Sequence, residues 1–477
     1  MLLRIHKSVL LLLLPVLCGC FGSFNPPRAV TASDIALPEG YRIEPVVTGL
    51  AFPTGIAFDD NGRVYITESG VIHGETRTAP RLLRMEPGGK TTVIATGDEN
   101  RPWSGVAYYK GAFYVTENGE FEGGSILRIT PDGAITRLAG NLPALGDHHT
   151  SGPVLGPDEW MYFGQGTATN SGVVGEDNLN AGWLRRYPDY HDIPCRDIRL
   201  NGYNFETKDF PAPYWRGKII TGAFSPFGAV TKKGQIIKGE IPCSGAVLRI
   251  NPGGGALELV AWGFRNPRGF AFSPDGRLFV TDRMYDKRGS RPVSGTGDIL
   301  WDVKEGTWYG WPDFHGNRPL NGEPGYRPRG GPSPEFLLAQ HPNIPPKPTA
   351  VFAVHSSPEG LDFSRKEAFG FVGQAFVAQA GKAFSQAGCR VVRVDTASGD
   401  IEEFAANKGK PRPGAGGMEH PVAVRFDPPG SALYVVDAGF VPQGARAAGA
   451  QEGTGVLWRI TRTLQKLQTT DSSKTAR

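Results

Sequence analysis

The sequence predicts an all-β protein, a six-bladed β-propeller with long loop insertions on its active face. Three observations point there: two short phrases recur six times each along the 477 residues, 65 glycines and 40 prolines occur without a Gly-X-Y period, and helical periodicity is scarce. The first phrase is a small residue or proline, an alternating strand, an Asp/Gly turn and a second strand ending in Thr, Asp, Glu or Gln. It reads Pro53-Thr-Gly-Ile-Ala-Phe-Asp-Asp-Asn-Gly-Arg-Val-Tyr-Ile-Thr-Glu68 and returns over 103–117, 151–165, 267–282, 358–379 and 421–437. The second is a short strand, usually containing arginine and often followed by a glycine turn, over 82–89, 126–133, 247–254, 299–303, 391–395 and 457–460. A pair of phrases supplies about four strands, the content of one blade, and a blade cannot bury its faces alone. Six blades therefore stack radially.

Taken in order, the chain opens on Arg4, His6 and Lys7 before the apolar run 9–17, the length and flanks of a signal sequence over 1–19. Leu17-Cys-Gly-Cys20 resembles the bacterial lipobox, which makes Cys20 the expected lipidation site. A lipid-anchored linker is expected over 20–40, the propeller over 41–462 and a frayed tail over 463–477, which lacks β-pattern and core residues. The last strand, near 456–460, lies beyond the sixth first-type phrase and is expected to close the ring by pairing with strands of the N-terminal blade. Two stretches break the period, 167–244 and 308–348, and both are expected on the active face, since loops this long inside a compact domain are seldom idle.

A net charge of +4, with basic and acidic residues interleaved, argues against nucleic acid as a partner. No later window approaches the roughly 20 apolar residues of a membrane span, so the membrane is expected to be met through the lipid anchor only. Export places Cys195, Cys243 and Cys389 in an oxidising compartment. Cys195 and Cys243 stand in matching Ile-Pro-Cys contexts and are the expected disulfide, which leaves Cys389 free and buried.

Two places stand out for chemistry. Gly146-Asp-His-His-Thr-Ser-Gly152 lies directly before a blade strand, and Gly263-Phe-Arg-Asn-Pro-Arg-Gly269 lies at the equivalent point of the next blade. Equivalent points face the same end of the channel, so a histidine and an Arg-Asn pair should converge there. The residues alone leave alternatives open: a His-His pair can be solvated or cap a core, an arginine can tie two blades through carbonyls, and aspartates can cap turns.

These phrases also carry a resemblance. The Arg-Asn-Pro phrase followed by Pro274-Asp-Gly276 resembles the signature of the soluble glucose dehydrogenases, and His149-Thr-Ser-Gly152 followed by Gly156-Pro-Asp158 resembles the segment bearing their catalytic histidine. Tyr309-Gly-Trp-Pro312 matches a third family phrase. Ile193-Pro-Cys-Arg-Asp197, Thr221-Gly-Ala-Phe224, His355-Ser-Ser-Pro358 and Gly388-Cys-Arg-Val-Val-Arg393 resemble the sorbosone-dehydrogenase-like branch. Nearly all of the mature chain is thus similar to the PQQ-dependent glucose/sorbosone dehydrogenase family.

The resemblance implies that pyrroloquinoline quinone (PQQ) lies over the channel mouth and takes hydride from the anomeric carbon of an aldose. His149 would be the general base, Arg265 would stabilise the oxyanion forming on the quinone, and Asn266 would hold the cofactor edge. Asn100, Arg268, Lys382, Arg390 and His420 complete the candidate cofactor set, with Tyr309 and His355 as further cavity candidates. The family's Ca2+ bridges cofactor and protein; Asp282 and Asp298 are the available ligands. Electrons would pass to a quinone or cytochrome, with the protein facing the periplasm from the outer membrane. Two departures stand against this pattern: Met418-Glu-His420 replaces the family's Arg-x-Arg, and Gln379-Ala-Gly-Lys-Ala-Phe-Ser385 replaces a His-Gly-Ser-Trp-Asn-Arg phrase. Lys382 and Arg390 are the residues expected to restore the charge. The rival readings are a calcium-dependent lactonase, which needs carboxylates and asparagines on the channel axis, and a non-catalytic propeller that binds a glycan or a partner.

Overall fold

The computed structural model describes residues 28–69, 78–118, 123–143, 146–207, 218–381, 388–409, 416–440 and 452–463; the expected signal sequence, Cys20, Lys382 and the tail from 464 lie outside them. Six antiparallel sheets succeed one another as blades, each with its first strand innermost. Those inner strands are Pro53–Phe58, Trp103–Tyr109, Thr150–Leu155, Pro267–Phe272, Pro358–Phe363 and Pro421–Phe426, and each packs against the inner strand of the next blade. Apolar clusters run between neighbouring blades, which is why alternating strands buried on both faces form a stable ring.

Closure differs in one respect from expectation. Tyr41–Leu50 does not belong to the first blade; it is the outermost strand of the sixth, paired along Gly455–Arg462. The expected linker is also partly built into the ring. Ile35 and Ala36 extend the fifth blade against Ala406 and Asn407, and Arg28 sends its guanidinium to Asp437 and to the carbonyls of Thr454 and Gly417. An open sheet edge exposes unpaired N–H and C=O groups, and this segment covers one.

All six inner strands shift register near their second residue, as at Pro53/Gly55 and Trp103/Gly105. The third residue is Gly55, Gly105, Gly152, Gly269, Gly360 or Ala423. This is where the blades approach most closely: a Cβ on Gly105 would lie 2.1 Å from the Gly152 carbonyl oxygen, and one on Gly269 would lie 2.0 Å from that of Glu359. At these two positions only glycine fits.

The insertion 166–245 leaves and rejoins the third blade at one rim, between Met161–Gln165 and Ala246–Ile250, as expected. The other insertion, 304–349, starts at the opposite rim, because it follows Ile299–Val303, whose Val303 end pairs with Leu278. It climbs alongside Glu258–Trp262, with Gly306 N donating to Val260 O and Tyr309 N to Trp262 O at 2.7 Å each. At the top it meets the first insertion, where Leu200 bridges Leu338 and Asn201 donates to the carbonyls of Phe336 and Leu338.

Cys195 and Cys243 form a disulfide across 48 residues of the first insertion, and Cys389 is free and buried, both as expected. By loop-closure entropy a bridge of this span contributes about 4 kcal/mol. Cys243→Ser is therefore expected to lower the melting temperature measurably by calorimetry, and an unchanged value would show that the insertion is held by its packing alone. Among the described residues no helix is long and apolar enough to cross a membrane.

Candidate active site

The second strand of each blade ends at one rim in Glu68, Glu117, Gln165, Asp282, Gln379 or Asp437, all buried. Several of these side chains hold the backbone of the loop that enters their own inner strand. Glu68 accepts from Ala51 N at 2.7 Å, Asp282 from Asn266 N at 2.7 Å and Arg265 N at 3.2 Å, and Asp437 from His420 N at 2.8 Å and Glu419 N at 3.0 Å. The loop residue just before the inner strand is the equivalent position of each blade: Phe52, Pro102, His149, Asn266, Ser357 and His420.

Three predicted site residues, His149, Asn266 and His420, thus occupy one equivalent position in the third, fourth and sixth blades. The third and fourth blades meet at Gly166 and Thr167: Gly166 N donates to the His149 carbonyl at 3.2 Å, and Thr167 N to the Arg265 carbonyl at 2.9 Å. His149 is half-buried at this rim. Asn266 is 6% exposed, and its Oδ1 is buried without a hydrogen-bond partner. A buried acceptor left unmade costs about 1–3 kcal/mol, so it calls for a donor from outside the ring.

One step below the rim lie Thr54, Ser104, Ser151, Arg268, Glu359 and Val422, which line the channel. Here Arg268 Nε donates to Glu359 Oε2 at 2.7 Å and Arg283 Nη1 to Glu359 Oε1 at 3.0 Å. Burial acts to raise the Glu359 pKa, but the two guanidinium groups outweigh it and hold the carboxyl below its usual value. The cluster of two arginines and one carboxylate has a net charge of +1. Burial lowers the His420 pKa, with Glu359 and Asp437 opposing, so its imidazole stays neutral near pH 7.

No protein-family model matches the chain. It is 21% identical over 317 residues to quinoprotein glucose dehydrogenase B of Acinetobacter calcoaceticus, a match covering 60% of this chain and spanning about half (55%) of that relative. Among solved structures it superposes on the PQQ-bound aldose sugar dehydrogenase of Streptomyces coelicolor (TM-score 0.52, 16% identity, 89% of this chain and 99% of that one). It also superposes on the calcium structure of a Trichoderma reesei carbohydrate-active enzyme of family AA12 (TM-score 0.55, 15% identity, 91% and 98%), and on the apo soluble aldose sugar dehydrogenase of Escherichia coli (TM-score 0.52, 14% identity, 88% and 99%). The fold is that of the quinoprotein sugar dehydrogenases.

Within this dehydrogenase fold the remaining candidates sort by what they touch. Arg265 reaches the rim through its backbone, but its guanidinium is buried under the first insertion. It donates to the carbonyls of Asn170 and Arg283, to Asn170 Oδ1 and to Asp286 Oδ2, between 2.8 and 3.2 Å. Four of its five N–H groups are so engaged, and the side chain ties two blades together instead of projecting into the mouth as expected. His148, the neighbour of His149, is buried with Nδ1 2.9 Å from Thr167 O and Oγ1. Burial, and then the charges of Arg265 and Arg288, push its pKa far below the usual value.

Arg390 is not at the mouth: it lies on a third strand, engaged by Gln379 and Glu403. Asn100 is exposed and bonds to Asp98. Tyr309 stacks on Phe264 with centroids 4.5 Å apart and donates to Asp302 O, so it braces the second insertion. His355 lies in the exposed loop entering the fifth blade.

Asp282 and Asp298 do not converge as calcium ligands. Asp282, its pKa pushed up to about 6 by burial, caps the Arg265-Asn266 loop and accepts from Trp301 Nε1. Asp298 caps Met284 N and Ser357 N at 2.9 Å and accepts from Ser356 Oγ. Hydrogen donors already point at both carboxylates, a surrounding that repels a cation.

Arg283 and Glu359 escaped the sequence reading. The available signal was a basic residue directly after a rim acid, in Thr281-Asp-Arg283, and a carboxylate at the second position of the inner-strand phrase, in Pro358-Glu-Gly360.

Proposed function

We propose that this chain is a quinoprotein oxidoreductase that oxidises an aldose-type sugar at its anomeric carbon. The observation that carries this is the convergence of His149, Asn266 and His420 at one position of three blades, with the buried Asn266 Oδ1 lacking a partner. When bound, PQQ supplies a two-electron hydride acceptor. The residues present fit that group: Asn266 offers an unused acceptor, and Arg268 and Arg283 offer positive charge to its carboxylates.

His149 accepts the proton of the anomeric hydroxyl as the C–H bond is broken. An imidazole is the side chain most often used as a general base. Arg265 acts as a positioning residue, holding Asn170 of the insertion and the 283–286 loop around the site. Thr54, Ser104 and Ser151 turn their hydroxyls onto the carbonyls of Trp103, Thr150 and Pro267 in the next blade, which holds the channel wall below the site in place. The signal sequence and the lipobox Cys20 support attachment to the envelope with the ring in the periplasm, and a membrane quinone or a cytochrome as acceptor.

The test adds PQQ to the purified protein and follows dye reduction across a panel of aldoses, together with melting temperature. Cofactor-dependent turnover and stabilisation of the fold are the expected results. Stabilisation without turnover on any aldose would remove the dehydrogenase reading, and neither effect would leave the binding propeller.

A further inference from the structure

The resemblance brings a calcium ion with the cofactor, yet the segment after the Arg-Asn-Pro blade is built against one. Asp282 and Asp298 are filled by N–H donors, and among the described residues no group of three or more His, Cys, Asp or Glu could hold a metal ion. A guanidinium stands there instead. Arg283 N donates to Asn266 O at 3.1 Å, and its side chain leaves that point to bond Glu359 Oε1 at 3.0 Å. Its charge acts on His148 of the third blade, Glu359 of the fifth and His420 of the sixth. Arg283 and Arg268 thus share Glu359 at the channel wall. The Arg283 side chain keeps 35% of its exposure, so N–H groups remain to be offered to an incoming anion.

We propose that in this chain the Arg283-Glu359-Arg268 cluster does the electrostatic work that calcium does in its relatives, so that PQQ is bound without a metal. This rests on the quinoprotein reading above. The glutamate holds the two guanidinium groups apart and in place, and the surplus positive charge meets the carboxylates of the quinone. A fixed cation pair also accounts for the missing Arg-x-Arg: His420 stands at that position, half-buried and neutral, while the charge comes from the fourth blade.

The experiment titrates PQQ into the purified full chain, in EGTA and in added calcium. Binding is read from quenching of intrinsic tryptophan fluorescence and from the shift in melting temperature. The expected dissociation constant is the same in both buffers to within about twofold. Arg283→Gln should weaken binding by about tenfold or more in both, as loss of a charge-assisted contact does, and Arg283→Lys should recover part of it. Binding that appears only with calcium, or an Arg283→Gln variant that binds like the parent, overturns the inference and leaves the dehydrogenase reading standing. Absence of binding in both buffers overturns both.

Discussion

His149→Ala is expected to lower kcat by about 10²–10⁴-fold, the range a positioned general base supplies, while PQQ still binds. Of the two adjacent histidines, His149 is the one left half-exposed at the rim. His148 is 6% exposed, turned onto Thr167 and held neutral far below its usual pKa. His149 is half-buried, stands at the rim position shared with Asn266, and gives its carbonyl to Gly166. Steady-state kinetics with a saturating sugar, paired with a cofactor titration, separates the outcomes. Turnover within about threefold of the parent would take the imidazole out of the chemistry. A parallel loss of cofactor binding would make it a structural support.

Removal of residues 28–50 is expected to abolish the soluble ring. Tyr41–Leu50 contributes eight paired positions along Gly455–Arg462. At about 0.2–1 kcal/mol for each cross-strand pair this is roughly 2–8 kcal/mol, against a total stability of about 5–15 kcal/mol for a folded domain. The loss would also bare an edge holding Leu457, Trp458 and Ile460, all buried in the intact protein. Aggregation on size-exclusion chromatography is the expected readout, whereas a chain starting at Arg28 should elute folded and unaggregated. A monodisperse, cooperatively melting product from the shorter chain would show that the ring closes without its seam.

The blades were legible because their phrases repeat. The six acidic or amide ends, Glu68, Glu117, Gln165, Asp282, Gln379 and Asp437, close their second strands where the sequence placed them. What escaped lacked such a phrase. Tyr41–Leu50 is interrupted by Pro45 and carries mixed burial, so its alternation is faint, and its partner lies more than 400 residues away. At the site, equivalence of blades brought His149 and Asn266 to one rim, but equivalence says nothing of where a long side chain turns. Arg265 swings outward to Asn170, while Arg283, which no phrase marked, turns inward to Glu359. Asp282 and Asp298 look like cation ligands in a string of letters, and only the amides aimed at them show otherwise.

The glycine collar sets a boundary on how such a protein can diversify. Because Gly105 and Gly269 leave no room for a methyl group against the neighbouring backbone, selectivity cannot be tuned from the waist of the ring. New preferences must come from the positions above it, where Phe52, Pro102 and Ser357 stand in blades whose rim residues no part of the mechanism uses. Phe52 and Ser357 are themselves buried, at 1% and 4% exposed, so of the three Pro102 is the position most open to exchange.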